Sequence, residues 1–434
     1  MKSNNTASHR LVVGLLAALF GLISVSAAHA QINTLYSFDA GDQGLGAYDP
    51  IGGLTVSPDG STLYGTTNSG GSIYGAGTVF AMPITGGTPT TLAYFTGTTG
   101  AYPDSGVILS ADGSALYGTT TVGPVENDGA IYSVPVTGGT PTTLASFADT
   151  VDQNPTNGKN PQAGVLLSGS TLYGTTYNGG YNDNGTVFSL DLNTDMVTTL
   201  VTFNGSDGAN PYYGTLALSG STLYGTTYDG GAYNQGTIFS VPVTGGTPTT
   251  LYSFVNTNSH GTSPTAGLIV SGSMLYGTTE GGLDGGTVFS FNLNTDVLTT
   301  LVAFNGADGA NPISGVILSG NTLYGTTYDG EGTTSNGTVF SVDLSNNQLT
   351  TLGTFDGANG GAPYGDLTLE GTTLYGTTTV GGDYNDGTVF SLSLEDVPEP
   401  STWALLLGGL GLLAFGRVRR MLFELPVGNR NSRE

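Results

Sequence analysis

Hydrophobic and polar positions along this chain fall into short alternating words rather than long runs. In the stretch around Leu223, Gly-Thr-Leu-Ala-Leu-Ser (214–219), Thr-Leu-Tyr-Gly-Thr (222–226), Gly-Thr-Ile-Phe-Ser-Val (236–241) and Thr-Leu-Tyr-Ser-Phe (250–254) follow one another. Each word is rich in β-branched and aromatic residues and is bounded by Gly, Asn or Pro, which predicts four short strands. None is long or periodic enough for a helix.

The same four words recur in fixed order. Leu-Tyr-Gly-Thr-Thr begins at Leu63, Leu116, Leu172, Leu223, Leu275, Leu323 and Leu374, a period near fifty residues. That period fits a four-stranded propeller blade better than the shorter solenoid repeats. Asp59-Gly60, Asp112-Gly113 or Ser-Gly separates the first word from the second. Gly86-Gly87, Gly138-Gly139, Gly245-Gly246 or an Asn separates the third from the fourth. These are tight-turn residues, so each period predicts an antiparallel meander.

The two ends of the repeated region are complementary. It opens with Thr34-Leu35-Tyr36-Ser37-Phe38, a fourth word lacking its first three, and closes with Gly387-Thr388-Val389-Phe390, a third word lacking its fourth. Joining them completes seven copies. The prediction is an all-β, seven-bladed propeller closed by its N-terminal strand, which leaves no exposed edge at the junction. An open solenoid would instead want polar caps at both ends, and none is visible. The Leu and Tyr of the second word and the Val and Phe of the third are expected between adjacent blades.

Composition agrees with a packed all-β body. The 72 glycines exceed the usual share of about 7%, but 23 Tyr, 17 Phe and the aliphatic clusters supply a core. Cysteine is absent, which excludes disulfides and thiol chemistry. All but three of the 32 acidic residues (the exceptions are Glu399, Glu424 and Glu434) lie between Gln31 and Pro398, where Lys159 is the only basic residue. Such a surface offers no basic patch for nucleic acid. It is compatible with cations or neutral polysaccharide, and self-repulsion suits a soluble monomer outside the cell.

Residues 1–30 have the form of a secretory signal: Lys2 and Arg10 flank an apolar run from Leu11 to Val25, and Ala28-His29-Ala30 predicts cleavage before Gln31. The propeller is expected over 31–396. The C-terminal 397–420 combines Val397-Pro398-Glu399-Pro400, an apolar segment from Trp403 to Phe415, and Arg417, Arg419 and Arg420; residues 421–434 continue as a short extension.

The repeated words resemble the GloVer tandem repeat of surface proteins in environmental bacteria, over residues 34–394. The second copy departs mildly with Gly129-Ala130-Ile131-Tyr132, which weakens nothing important in the resemblance. The C-terminal segment looks like a PEP-CTERM sorting signal. That resemblance implies recognition of Pro398-Glu399-Pro400 by an exosortase, a transient inner-membrane helix and cytoplasmic arginines. It also implies delivery to the surface or matrix of a Gram-negative-type bacterium. The marginal length of the apolar segment and the positive-inside rule agree with this. The extension 421–434 departs from the family's usual stop.

Catalytic sets are hard to find. His260, in the loop 256–264, is the body's single histidine; no nucleophile elbow accompanies it and a zinc set is excluded. The body's glutamates are Glu126, Glu280, Glu331, Glu370 and Glu395. Paired carboxylates could cleave glycosides, but Glu280 with Asp284, Asp229, and Asp329 with Glu331 recur at matching loop positions, which favours a repeated turn or solvated rim over a unique catalytic centre. Asn204, Asp207 and Asn210, and likewise Asn305, Asp308 and Asn311, supply hard oxygens that would suit calcium, though Asn-Gly and Asp-Gly are ordinary turn formers. No cofactor is expected.

The leading expectation is therefore a noncatalytic surface or matrix protein associated with exopolysaccharide or another surface protein. The alternative is a carbohydrate-active hydrolase or lyase on the same scaffold. A third reading, ice binding by the Thr-rich words, conflicts with radial blades that present no long flat threonine array.

Overall fold

The computed structural model describes residues 30–395, excepting 42–45, 72–74, 126, 148–157, 257–259, 283–284 and 331–335. The signal segment, Val397-Pro398-Glu399-Pro400, the apolar tail helix, the arginines, and Glu126, Asp284 and Glu331 lie outside the described residues. Ala30–Asp396 forms one compact unit, and no described helix is long and apolar enough to cross a membrane.

Seven four-stranded antiparallel sheets follow in chain order. Blade 4 is typical, with strands Ala217–Ser219, Thr222–Thr227, Thr237–Pro242 and Thr249–Ser253. Blades 1, 2 and 3 begin at Thr55, Ile108 and Leu166; blades 5, 6 and 7 begin at Ile269, Ile317 and Thr368. A separate two-stranded pair, Gly158–Lys159 with Asn178–Gly179, sits beside blade 3.

The ring closes as predicted. Ile32–Ser37 pairs with Thr388–Ser393 as the outer strand of blade 7. It carries the same bulge, opposite Val389 and Phe390, that the outer strands of the other blades carry. Phe38, just past the strand, is buried, and its N–H donates to Gly387 O at 3.0 Å.

The words also bury what they were expected to bury. All seven leucines of the second word and the Val (or Ile) and aromatic residue of the third are at most 1% exposed, while the second-word tyrosines are buried or half-buried. The glycine of that word lies opposite the third-word ring: a Cβ on Gly225 would sit 2.6 Å from Phe239 Cζ. At the axis, where the inner strands converge, Gly52 is similarly required, since its Cβ would meet Gly106 N at 2.3 Å.

Threonine hydroxyls hold both the blades and the ring. The last Thr of the second word meets the first Thr of the third at 2.8 Å, as in Thr227–Thr237 and Thr378–Thr388. The preceding Thr reaches the next blade: Thr66 donates to Ser105 O (2.8 Å), Thr226 to Ala266 O (2.8 Å), Thr278 to Ser314 O (2.9 Å). Thr377 of blade 7 donates to Gly52 O before blade 1 at 3.0 Å.

Blade 2 departs from the others in two side chains. With Ala130 in place of the partner Thr, Thr120 Oγ1 is buried without a hydrogen bond. Tyr132, in place of Phe, buries a hydroxyl that also finds no partner among the described residues. A buried unpaired hydroxyl costs on the order of 1–3 kcal/mol.

Candidate functional site: a tyrosine-lined mouth of the central channel

An axial cavity of about 210 Å³ is lined by residues entering the inner strands of all seven blades, from Ile51 in blade 1 to Tyr364–Asp366 in blade 7. Two carboxylates face it. Asp104 accepts a hydrogen bond from Asn68 Nδ2, and burial pushes its carboxyl up to about 6. Asp366 stands in a row otherwise filled mostly by glycine. Its side chain is open to the lumen yet surrounded by protein, and the resulting desolvation raises its pKa against the opposing bond from Gly315 N–H at 2.6 Å.

One end of the channel widens into a second cavity of about 420 Å³, lined by Tyr177, Tyr212, Tyr228, Glu280, Asn311, Ile313, Tyr328, Asp329 and Tyr364. Tyr364 and Ile313 line both spaces. The lining comes from two repeated positions. The first is the residue after Leu-Tyr-Gly-Thr-Thr: Tyr177, Tyr228, Glu280 and Tyr328 in blades 3 to 6. Its N–H donates to the residue preceding each blade's Pro, as Tyr228 to Asn210 O (3.1 Å) and Glu280 to Ser263 O (3.2 Å). Those pre-proline residues have positive φ, 53° at Asn210 and 55° at Ser263, a conformation that Asn tolerates best among non-glycine residues.

The second position is the residue after that Pro. Six blades place four steps between this Pro and the first buried aliphatic residue of the inner strand. Blade 4 inserts one more, Pro211-Tyr212-Tyr213-Gly214-Thr215-Leu216. The insertion places Tyr212 at the mouth and Tyr213 against the axial cavity, and it breaks the interblade hydrogen bond there, leaving Thr175 Oγ1 buried and unpaired.

The tyrosines form one connected cluster. Tyr212 lies 4.0 Å from Tyr213, 5.3 Å from Tyr177 and 5.6 Å from Tyr228 between ring centroids; Tyr213 lies 4.9 Å from Tyr364, and Tyr364 lies 6.0 Å from Tyr328. Burial pushes the Tyr213 and Tyr364 phenols far above their ordinary range. Burial likewise raises the Glu280 carboxyl, and the charge of Asp329 adds to the effect. Asp329 Oδ2 accepts from Asn311 Nδ2 at 2.7 Å.

Several expected roles change. Glu280 and Asp329 belong to this half-buried mouth and not to a solvated rim; Asp229 is half-buried beside it and raised by burial. Glu370 and Glu395 are exposed and apart from the cavity. Asn204 and Asp207 satisfy one another at 2.7 and 2.9 Å, while Asn210 donates to Tyr177 O at 3.1 Å. Asn305 accepts from Ala307 N–H, and Asn311 joins the mouth. These loops use their oxygens as turn acceptors. Among the described residues no three His, Asp or Glu side chains are grouped for a metal. His260 pairs Nδ1 with Thr300 Oγ1 at 3.1 Å and packs edge-on against Tyr252, away from the mouth.

The Gloeobacter/Verrucomicrobia repeat matches residues 20–158, 150–330 and 255–399. The chain belongs to that repeat family. Residues 396–420 match the PEP-CTERM protein-sorting motif, which indicates export, membrane-transiting sorting in Gram-negative bacteria and exosortase processing. No curated protein sequence matches the chain.

Among solved structures, the chain is similar to an oligogalacturonate lyase in complex with manganese (TM-score 0.52, 12% identity, 87% of this chain and 98% of that one). It is similar also to an oligogalacturonate lyase from Vibrio parahaemolyticus (TM-score 0.53, 10% identity, 86% and 95%). The extracellular domain assigned to a one-component system of B. thetaiotaomicron matches with TM-score 0.52 and 12% identity over 84% of this chain, which spans only 40% of that protein. At these identities the likeness to solved structures establishes the propeller fold and no activity.

Proposed function

We propose that this repeat-family member is an exported, noncatalytic surface or matrix protein that binds extracellular polysaccharide at the tyrosine-lined mouth. The single observation that carries this reading is the cluster of Tyr177, Tyr212, Tyr228, Tyr328 and Tyr364 around one open cavity. Aromatic faces bury large area at low conformational cost and offer a hydroxyl handle, and Glu280, Asn311 and Asp329 supply hydrogen-bonding groups beside them. The acidic body disfavours polyanions. A glycan array tests the reading: binding that Tyr212→Ala and Tyr228→Ala abolish is expected, and wild-type protein that retains no glycan would overturn it.

The sorting residues complete the proposal. Pro398-Glu399-Pro400 is the exosortase recognition site, and Arg417, Arg419 and Arg420 hold the tail's cytoplasmic side. Blotting in hosts with and without exosortase should show tail loss only in the first.

A second reading, glycan cleavage, is favoured by one feature: Glu280, with its carboxyl raised, lies near a second carboxylate, Asp329. It requires release of shorter chains from polysaccharide, abolished by Glu280→Gln.

A further inference from the structure

The mouth combines aromatic faces with negative charge and nothing basic. Its lining holds five tyrosines, two carboxylates and one amide. Lys159, the body's only basic residue, lies outside that lining, in the pair with Asn178. Tyrosine faces carry the negative side of the ring quadrupole and attract cations.

A neutral ligand would leave Glu280 partly desolvated beside Asp329, with no counter-charge. A uronate would add a third negative charge. A ligand carrying a protonated amine relieves both costs at once, because an ammonium donates up to three hydrogen bonds and cancels charge. Burial and the charge of Asp329 raise the Glu280 carboxyl, and an ammonium bound beside it would oppose that rise.

Resting on the polysaccharide reading above, we propose that this cavity takes an amino sugar, its ring against the tyrosines and its ammonium group held by the carboxylates of Glu280 and Asp329. The ligand class is a polysaccharide with free, unacetylated amino groups.

The test compares three oligomers of equal length on the full-length protein at pH 6: β-1,4-linked glucosamine, its N-acetylated form and β-1,4-linked glucose. The amine oligomer is expected to bind roughly tenfold or more tightly than either neutral one, the scale of a charge-assisted hydrogen bond. Glu280→Gln and Asp329→Asn should erase that preference, bringing the amine oligomer to within about twofold of the neutral ones. Because the whole body is acidic, Glu370→Gln, which removes the same charge far from the mouth, serves as the control and should leave the preference intact.

Equal binding of all three oligomers overturns the amino-sugar assignment and leaves polysaccharide binding standing. A preference that Glu370→Gln weakens as much as Glu280→Gln does also overturns it, since the general field would then be the cause. Binding of no glycan, in this set or on the array, removes the polysaccharide reading itself.

Discussion

Gly225 pairs directly with Phe239 across blade 4, and the side chain that Gly225 lacks is the space the phenylalanine ring occupies. The same relation recurs in every blade, with Tyr132 as the ring in blade 2. The glycine of Leu-Tyr-Gly-Thr-Thr is therefore a packing residue. Gly225→Ala is expected to destabilise by about 1–3 kcal/mol through overpacking. Phe239→Leu in the same chain should recover part of that loss, because neighbouring sites couple. Denaturant melts of the two single variants and the double variant measure it; additive effects would place the clash elsewhere.

Leu223 is fully buried in the core shared by blades 3 and 4. Leu223→Ala should cost about 2–5 kcal/mol, read in the same melts.

Blade 2 offers the opposite sign. Tyr132→Phe removes a buried hydroxyl that has no partner, and Ala130→Thr restores the partner Thr120 lacks. Each is expected to stabilise by about 1 kcal/mol, visible as a higher Tm. A lower Tm for Tyr132→Phe would show that the hydroxyl is satisfied in solution.

Deleting residues 31–38 removes the outer strand of blade 7 together with Phe38. The whole body should then melt at a markedly lower temperature in one cooperative step. Unchanged melting would mean that the ring holds without its closing strand.

Asp104 gives a pH signature. Its folded pKa, about 6, lies above the ordinary 3.8, so the folded state holds a proton that the unfolded state releases. Stability from this group is therefore fully present below about 4 and is lost as pH rises towards 6. Asp104→Asn should raise Tm at pH 7 and flatten its slope between pH 4 and 6. An unaltered slope would assign that slope to Glu280, Asp366, Asp229 or Asp49, whose carboxyls are also raised.

The scaffold was legible because its information is local and repeated. Leu223, Ile238 and Phe239 recur in words whose alternation sets strand and face, and the orphan word at Thr34 disclosed closure. The mouth was not legible, because Tyr177, Tyr228 and Tyr328 stand 51 and 100 residues apart and meet Tyr364 only once the ring has formed. Two signals were nonetheless present. The extra step between Pro211 and Leu216 interrupts an otherwise constant spacing, and Glu280 replaces tyrosine at the position that Tyr177, Tyr228 and Tyr328 share. Alignment of the copies on Leu-Tyr-Gly-Thr-Thr alone hides the first and treats the second as a turn.

That one extra residue also adds to the differences that set the seven blades apart. Seven equivalent blades would offer a long-chain ligand seven indistinguishable headings across the face. With Tyr212 at a single bearing and Glu280 one blade further round, the face has a compass direction. A polymer chain lying on it would run one way only, so copies of the protein along one strand would all point alike.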